Sequence, residues 1–143
     1  VNKASGENVR TFVAGEWTLE YDWAHSGLTQ EVWQAAVLAL ADENIQVGKV
    51  TKEDAIGARE AEFLALAALE LEAKASHVYA LFETEGASKA IGAQYLSELL
   101  EHAVESGGMG VDELRSKLPS YVLDAIAYVT APIPVTAAPE EQG

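Results

Sequence analysis

The chain has 143 residues, no cysteine and a formal charge of −14, from nine basic and 23 acidic residues. This length predicts one domain, the lack of cysteine excludes disulfide scaffolds and thiolate chemistry, and the charge argues against direct binding to nucleic acid or anionic lipid. The longest apolar run, residues 35–41, is too short to cross a bilayer, and the first ten residues lack a signal-peptide core. We therefore expect a cytoplasmic protein without a membrane contact.

The N-terminal part combines a polar lead with an alternating aromatic stretch. Residues 1–8 read as a flexible lead, and residues 9–23 alternate in polarity around Gly15, as the two strands of a β-hairpin do. Trp17, Tyr21 and Trp23 fall on one face of the second strand. Because an isolated hairpin is marginal in water, this face must be covered by the chain's own helices or by a partner. We predict these three aromatics as partner-contact residues.

Two helices are expected next. The first should run over 29–42, with Thr29 as its N-cap and Leu28 and Trp33 as a hydrophobic staple. The second should begin after Thr51 and reach about residue 85, before Gly86. Six apolar side chains recur along it at spacings of three and four, which predicts one apolar stripe: Leu64, Ala68, Leu71, Ala75, Val78 and Phe82.

Three further helices and a tail complete the chain. We predict helices over 87–106 and 111–117, and a last helix opened by Pro119, with Val122, Ala125, Ile126 and Val129 as its apolar stripe. The proline-rich residues 131–143 indicate an extended or disordered tail. The expected fold is mainly α, with about five helices in a compact bundle, one domain over 9–130, the N-terminal hairpin and this tail.

The candidate catalytic or metal-binding side chains are concentrated in the segment SELLEHAVES, residues 97–106. Glu98 and His102 lie four apart on the outer face of the predicted helix and could supply two metal ligands, with His77 contributing from the neighbouring helix. A catalytic zinc usually has three protein ligands, and no H-E-x-x-H pattern is present. We interpret these side chains as a solvated face and expect no metal. We also find no nucleophile elbow, phosphate loop or dinucleotide motif, and we expect no cofactor.

The stretch from His77 through LLEHAVESGGMGVDELRSKLPSYVLDAIAYVT resembles the HD-type metal phosphohydrolases. In that comparison His77 matches the first metal histidine, while Glu101 and His102 stand where the family has its His-Asp pair. The metal dyad is therefore absent. The resemblance implies a degenerate phosphohydrolase that keeps the helices of that fold, with hydrolase activity as the alternative if His77 and His102 bind metal.

A second resemblance covers the overall plan of the chain. The opening TFVAGEWTLEYDW, the segment TKEDAIGAREAEFLALAALEL and the ending APEEQG make the chain similar to the tail-assembly chaperones of long-tailed phages. This likeness implies an oligomeric or partner-bound assembly protein in the host cytoplasm or virion. Our main hypothesis is thus a non-catalytic protein–protein interaction or assembly protein, and an acidic mimic of nucleic acid that inhibits a basic protein is a further alternative.

Overall fold

The computed structural model describes residues 10–11 and 18–132, and within these ranges it contains helices and no β-strand. In chain order the helices are α1 (Leu19–Trp23), a π-helical turn (Ala24–Leu28), α2 (Thr29–Gln46), α3 (Lys52–Gly57), α4 (Glu60–Leu66), α5 (Leu71–Glu83), α6 (Lys89–Glu105), α7 (Val111–Ser116) and α8 (Ser120–Thr130). The predicted mainly α class is confirmed for this part of the chain. The predicted lead, the first strand of the hairpin apart from residues 10–11, and the tail beyond residue 132 lie outside the described residues.

The predicted second strand of the hairpin is wrong, because Leu19–Trp23 is helical. Thr18 accepts a hydrogen bond from the Tyr21 N–H and thereby caps α1, and acidic Glu20 and Asp22 occupy the first turn. Both features favour a helix N-terminus. The alternation of aromatic and acidic residues across Trp17–Trp23 suggested a strand, but the capping threonine in the same segment determines the local structure.

Helix α2 lies at the centre of the fold and packs against α3, α5 and α6. Its buried side chains point in several directions around the helix, which is expected for a helix with neighbours on more than one side. These residues are Val32, Trp33, Ala35, Ala36, Val37, Leu38 and Ala39. The prediction of a helix from Thr29 is confirmed. Thr29 itself is not the N-cap, since its hydroxyl donates to the Ala24 carbonyl at 2.7 Å and Leu28 takes the cap position.

The single long helix predicted after Thr51 is wrong, because the chain folds it into α3, α4 and α5. Thr51 caps α3 as predicted, accepting from the Asp54 N–H at 3.0 Å. A straight helix over 52–85 would be about 50 Å long, roughly twice the length of the 18-residue α2. Breaking it at Arg59 and Glu70 keeps the segments short enough to pack against α2.

Arg59 fixes one of these breaks. Its guanidinium contacts Glu62 at 2.8 Å and Glu85 at 3.0 Å, so it ties the start of α4 to the residues just after α5. Both hydrogen bonds hold the pKa of Arg59 above its ordinary value, Glu85 having the larger effect. The apolar side of α4 is anchored separately by Phe63, whose ring lies 4.8 Å from that of Trp33.

The C-terminal helices follow their predicted ranges closely. Helix α6 begins after Ser88, which caps it by accepting from the Ile91 N–H at 3.2 Å, and α7 and α8 match the predicted positions. The end of α7 contacts the π-helical turn, because the Ser26 hydroxyl donates to the Lys117 carbonyl. Gly27 has φ +127° in this turn, and a Cβ there would also approach the Lys117 side chain to 3.2 Å.

Candidate partner-binding groove

A groove of about 440 Å³ lies between α3 and α6, with part of α2 beneath it. The residues of its floor are mostly apolar, and the residues of its rim are acidic or basic side chains and one histidine. The floor consists of Leu38, Ile56, Tyr95 and Leu99, and the rim consists of Lys52, Glu53, Glu98, Glu101, His102 and Glu105. We call this feature the α3–α6 groove.

Helical spacing explains how the groove obtains both surfaces from one element. On α6, Tyr95 and Leu99 are four residues apart and point toward the floor, whereas Glu98, Glu101 and Glu105 follow at spacings of three and four along the adjacent line. The Thr51 cap fixes where α3 begins, which places Lys52 in its first turn on the opposite wall. The groove therefore depends on the start of α3 and on the length of α6.

Tyr95 holds the floor in place. It is 5% exposed, and its hydroxyl donates to Asp42 Oδ1 on α2 at 2.6 Å. Burial and the adjacent Asp42 carboxylate raise the pKa of Tyr95 to about 12, so the hydroxyl stays protonated and remains a donor near neutral pH. Lys52 Nζ lies 5.4 Å from the centre of the Tyr95 ring and 3.4 Å from Glu98 Oε2. Lys52 on α3 and Glu98 on α6 therefore approach each other beside the Tyr95 ring, which the hydrogen bond to Asp42 holds in place.

The rim carries an excess of negative charge. Four glutamates, Glu53, Glu98, Glu101 and Glu105, border the groove, and Lys52 is the one lysine or arginine in its lining. All four carboxylates belong to exposed residues. An apolar floor within an acidic rim has the features that recognise a polypeptide segment with apolar residues on one side and lysine or arginine on the other.

The candidate metal ligands are only partly brought together. Glu98 and His102 both line the α3–α6 groove, as their four-residue spacing predicts. His77 is exposed on α5 and is not part of the lining. Across residues 10–11 and 18–132, no group of three or more histidine, aspartate or glutamate side chains is placed to hold one metal ion. His25, in the π-helical turn, instead stacks on Tyr21 with ring centres 5.8 Å apart.

The three aromatics predicted to contact a partner have different positions. Tyr21 is buried in the main core cluster, 7% exposed, so a partner cannot reach it in this structure. Trp23 is half-buried against the same cluster. Trp17 lies outside the described residues, and its contact with a partner stays a prediction. The aromatic face expected from the alternating sequence therefore contributes to the core through its helical part.

Three residues of the groove, two on the rim and one in the floor, were missed because the sequence predicted one long helix after Thr51. Lys52, Glu53 and Ile56 were assigned no role in binding. The sequence shows Glu98, Glu101 and Glu105 recurring along one line of the helix, but this spacing predicts only a face in contact with solvent. Their common border with an apolar floor depends on how α3 packs, and helical spacing within α6 contains no such information.

Comparisons of the chain with protein-family models, with curated proteins and with solved structures gave no match. Among the described residues, none of the helices combines the length and the hydropathy needed to span a membrane.

Proposed function

We propose that this chain is a non-catalytic protein–protein interaction protein that binds a basic, amphipathic segment of another polypeptide in the α3–α6 groove. The observation that carries the proposal is the combination of four glutamates on the rim with the apolar floor formed by Leu38, Ile56, Tyr95 and Leu99. Half-buried Ile56 and Leu99 supply the apolar contacts for such binding, and the rim attracts a basic partner and selects its charge.

The dimensions of the groove favour a helical partner segment. Glu98 and Glu105 are seven residues apart on α6, which corresponds to about 10 Å along the helix axis. A partner helix lying alongside would place basic residues four apart opposite Glu101 and Glu105, and a third basic residue could compete with Lys52 for Glu98. Its apolar side would then face Leu99 and Ile56. A segment of about three helical turns satisfies both surfaces.

The charge of the whole chain supports the same choice of partner. A net charge of −14 attracts basic segments over a distance and repels acidic ones, so the encounter should be fastest at low salt. Because the rim carboxylates are exposed, added salt should screen them and weaken the complex.

An assembly role is one form of this function. The tail-assembly chaperones that the chain resembles are non-enzymatic proteins that hold another polypeptide, and the resemblance implies phage tail components as partners. The helices and the acidic ending carry this part of the proposal. The extended opening segment of that resemblance does not support an assembly role, because Leu19–Trp23 within it is helical.

The test uses a fluorescein-labelled peptide of 14 residues, made of leucine and lysine in an amphipathic helical pattern, and a scrambled peptide of equal composition. Fluorescence anisotropy measures binding to the full chain at 50 and 200 mM NaCl. We expect the patterned peptide to bind more tightly than the scrambled one. The double variant Glu101→Gln/Glu105→Gln should weaken binding of the patterned peptide about tenfold, equivalent to about 1.4 kcal/mol.

The matched control is Glu60→Gln/Glu72→Gln, which removes the same charge from exposed positions on α4 and α5 outside the groove. This control should change the affinity less than twofold. Equal losses in both double variants would mean that the peptide senses only net charge and would contradict the proposed site. Competition of nucleic acid with the chain for a basic DNA-binding protein, without peptide binding in the groove, would favour the mimic hypothesis instead.

A further inference from the structure

Lys52 interacts with one end of the acidic rim of the α3–α6 groove. It is the first residue of α3, and its Nζ lies 3.4 Å from Glu98 Oε2 and 5.4 Å from the centre of the Tyr95 ring. The ammonium group therefore contacts both a carboxylate of the rim and the aromatic ring of the floor. A basic side chain of a partner would use the same two groups, because a cation is attracted to carboxylates and to the faces of aromatic rings.

The other end of the rim is not neutralised in this way. Glu101 and Glu105 form no ion pair with a lysine or arginine among residues 10–11 and 18–132. They follow Glu98 on α6 by three and seven residues, about 4.5 and 10 Å further along the helix axis. Lys52 therefore neutralises the rim at Glu98 and leaves it acidic at Glu101 and Glu105.

We infer that Lys52 is a specificity-determining residue of the α3–α6 groove, where it takes the position of one basic side chain of the partner. The inference rests on the proposed function and specifies the chemistry of the partner further. The preferred segment carries two basic residues four apart, opposite Glu101 and Glu105, and an uncharged residue opposite Glu98. A third basic residue at that position reaches Glu98 only by displacing Lys52.

The exposure of the pair explains why such a displacement gains little affinity. The side chain of Lys52 is 44% exposed and that of Glu98 57%, so their ion pair is weak and screened by water. Once the partner is bound, its third basic side chain and Lys52 are both held close to Glu98 by their own chains. One ion pair is then exchanged for a similar one. Without Lys52, the third basic residue would form a new ion pair with Glu98 and a new contact with the Tyr95 ring.

Lys89 provides a matched control for Lys52. It is the first residue of α6, its Nζ lies 3.5 Å from Glu20 Oε2 and 5.7 Å from the centre of the Tyr79 ring, and its side chain is 51% exposed. None of these three residues lines the α3–α6 groove. Lys52→Gln and Lys89→Gln thus remove the same charge from the same helix position and from similar contacts.

The test uses labelled helical peptides of 14 residues that differ at one position. The parent peptide carries leucines on one side and two lysines, at positions 6 and 10, on the other. A third lysine replaces glutamine at position 3 in one derivative and at position 13 in another, which covers both directions in which a peptide can lie along α6. Fluorescence anisotropy at 50 mM NaCl measures binding to the wild-type full chain, to Lys52→Gln and to Lys89→Gln.

In the wild type, the third lysine should change the affinity less than about 1.5-fold. In Lys52→Gln, it should raise the affinity about threefold in one of the two derivatives, as expected for one exposed ion pair. In Lys89→Gln, the effect of the third lysine should equal that in the wild type. The parent peptide should bind Lys52→Gln and Lys89→Gln with similar affinity, because both variants carry the same net charge.

Equal gains from the third lysine in the wild type and in Lys52→Gln would overturn the inference, while binding of the parent peptide in the groove would leave the proposed function standing. A gain in Lys89→Gln as large as that in Lys52→Gln would also overturn it, because net charge alone would then explain the result. A chain that binds none of the peptides in any of its three forms would contradict both the proposed function and this inference.

A second measurement follows Lys52 in the wild-type chain by nuclear magnetic resonance. The ring current of Tyr95 should shift the side-chain protons of Lys52 upfield in the free chain. Saturation with the parent peptide should leave these signals in place, and saturation with the three-lysine derivative that reaches Glu98 should move them part of the way toward those of a lysine without a ring contact. The signals of Lys89, over the Tyr79 ring, should not change. Displacement of Lys52 by the parent peptide would contradict the inference.

Discussion

Removing the Tyr95 hydroxyl tests whether the bond between α6 and α2 stabilises the floor of the α3–α6 groove. In Tyr95→Phe the ring stays beneath Lys52, and only the hydrogen bond to Asp42, 2.6 Å long, is lost. Hydrogen bonds to charged acceptors contribute about 1.5 to 3 kcal/mol. Asp42 is half-buried and also accepts from Gln46 Nε2 at 3.2 Å, so its carboxylate keeps a partner and water access. We therefore expect a loss at the lower end, about 1.5 kcal/mol.

The assay is equilibrium urea unfolding followed by circular dichroism, supported by thermal unfolding. A loss of about 1.5 kcal/mol corresponds to a decrease in Tm of roughly 4 to 7 °C for a chain of this size. Tyr79→Phe is the matched control, because it removes the same atom from a hydrogen bond to Glu83 of 2.8 Å that lies exposed within one helix. The control should lose about 0.5 kcal/mol or less.

Equal losses of unfolding free energy in Tyr95→Phe and Tyr79→Phe would refute this reasoning. Burial of the hydrogen bond and its link between two helices would then contribute nothing to stability. A Tyr95→Phe variant as stable as the wild type would refute it as well. The double variant Tyr95→Phe/Asp42→Asn separates the pair from its surroundings. If the hydrogen bond is the cause, the two changes together should cost less than the sum of the single changes.

Two further predictions concern pH and helix capping. The pKa of Tyr95 is raised to about 12 in the folded chain, and the unfolded value is about 10. The protonated Tyr95 hydroxyl therefore stabilises the folded chain fully below pH 10, and this stabilisation is lost as the pH rises from 10 to about 12. Urea unfolding midpoints should fall between pH 9 and 11.5, and they should fall less steeply in Tyr95→Phe. Thr51→Ala removes the cap of α3, so it should lower the free energy of unfolding in urea by about 1 kcal/mol and weaken binding of the basic peptide. Thr51→Ser should keep most of the stability and most of the peptide affinity. An undiminished peptide affinity in Thr51→Ala would show that the groove does not need the fixed start of α3.

The sequence by itself determined the helical class and many helix boundaries. The Thr51 cap, the helix ending near Ser106 and the short helix from Val111 follow from capping residues, glycines and apolar spacing, which act within a few residues of the chain. The outward position of Glu98 and His102 on α6 was also predictable, because helical spacing places them away from Leu96 and Leu100.

Sequence patterns did not predict the burial of side chains whose position depends on tertiary packing. The stripe predicted along one long helix is divided: Ala75, Val78 and Phe82 are buried, while Leu64 is 63% exposed and Leu71 43% exposed. These side chains share a spacing, but the break at Glu70 separates Leu64 on α4 from Ala75, Val78 and Phe82 on α5, and Leu71 is the first residue of α5. No local signal in the leucine- and alanine-rich stretch before Glu70 predicts the second break, after which Phe63 of α4 and the buried side chains of α5 pack on the same core cluster.

The α3–α6 groove was decided by the tertiary structure. Helical spacing assigns a residue to one side of its own helix, but it does not specify what lies opposite that side. The carboxylates of α6 border a groove because α3 packs across from them, and the Tyr121 hydroxyl on α8 donates to Asp22 Oδ2 on α1. These contacts join residues 46 and 99 positions apart in the chain, and no short-range pattern records such distances.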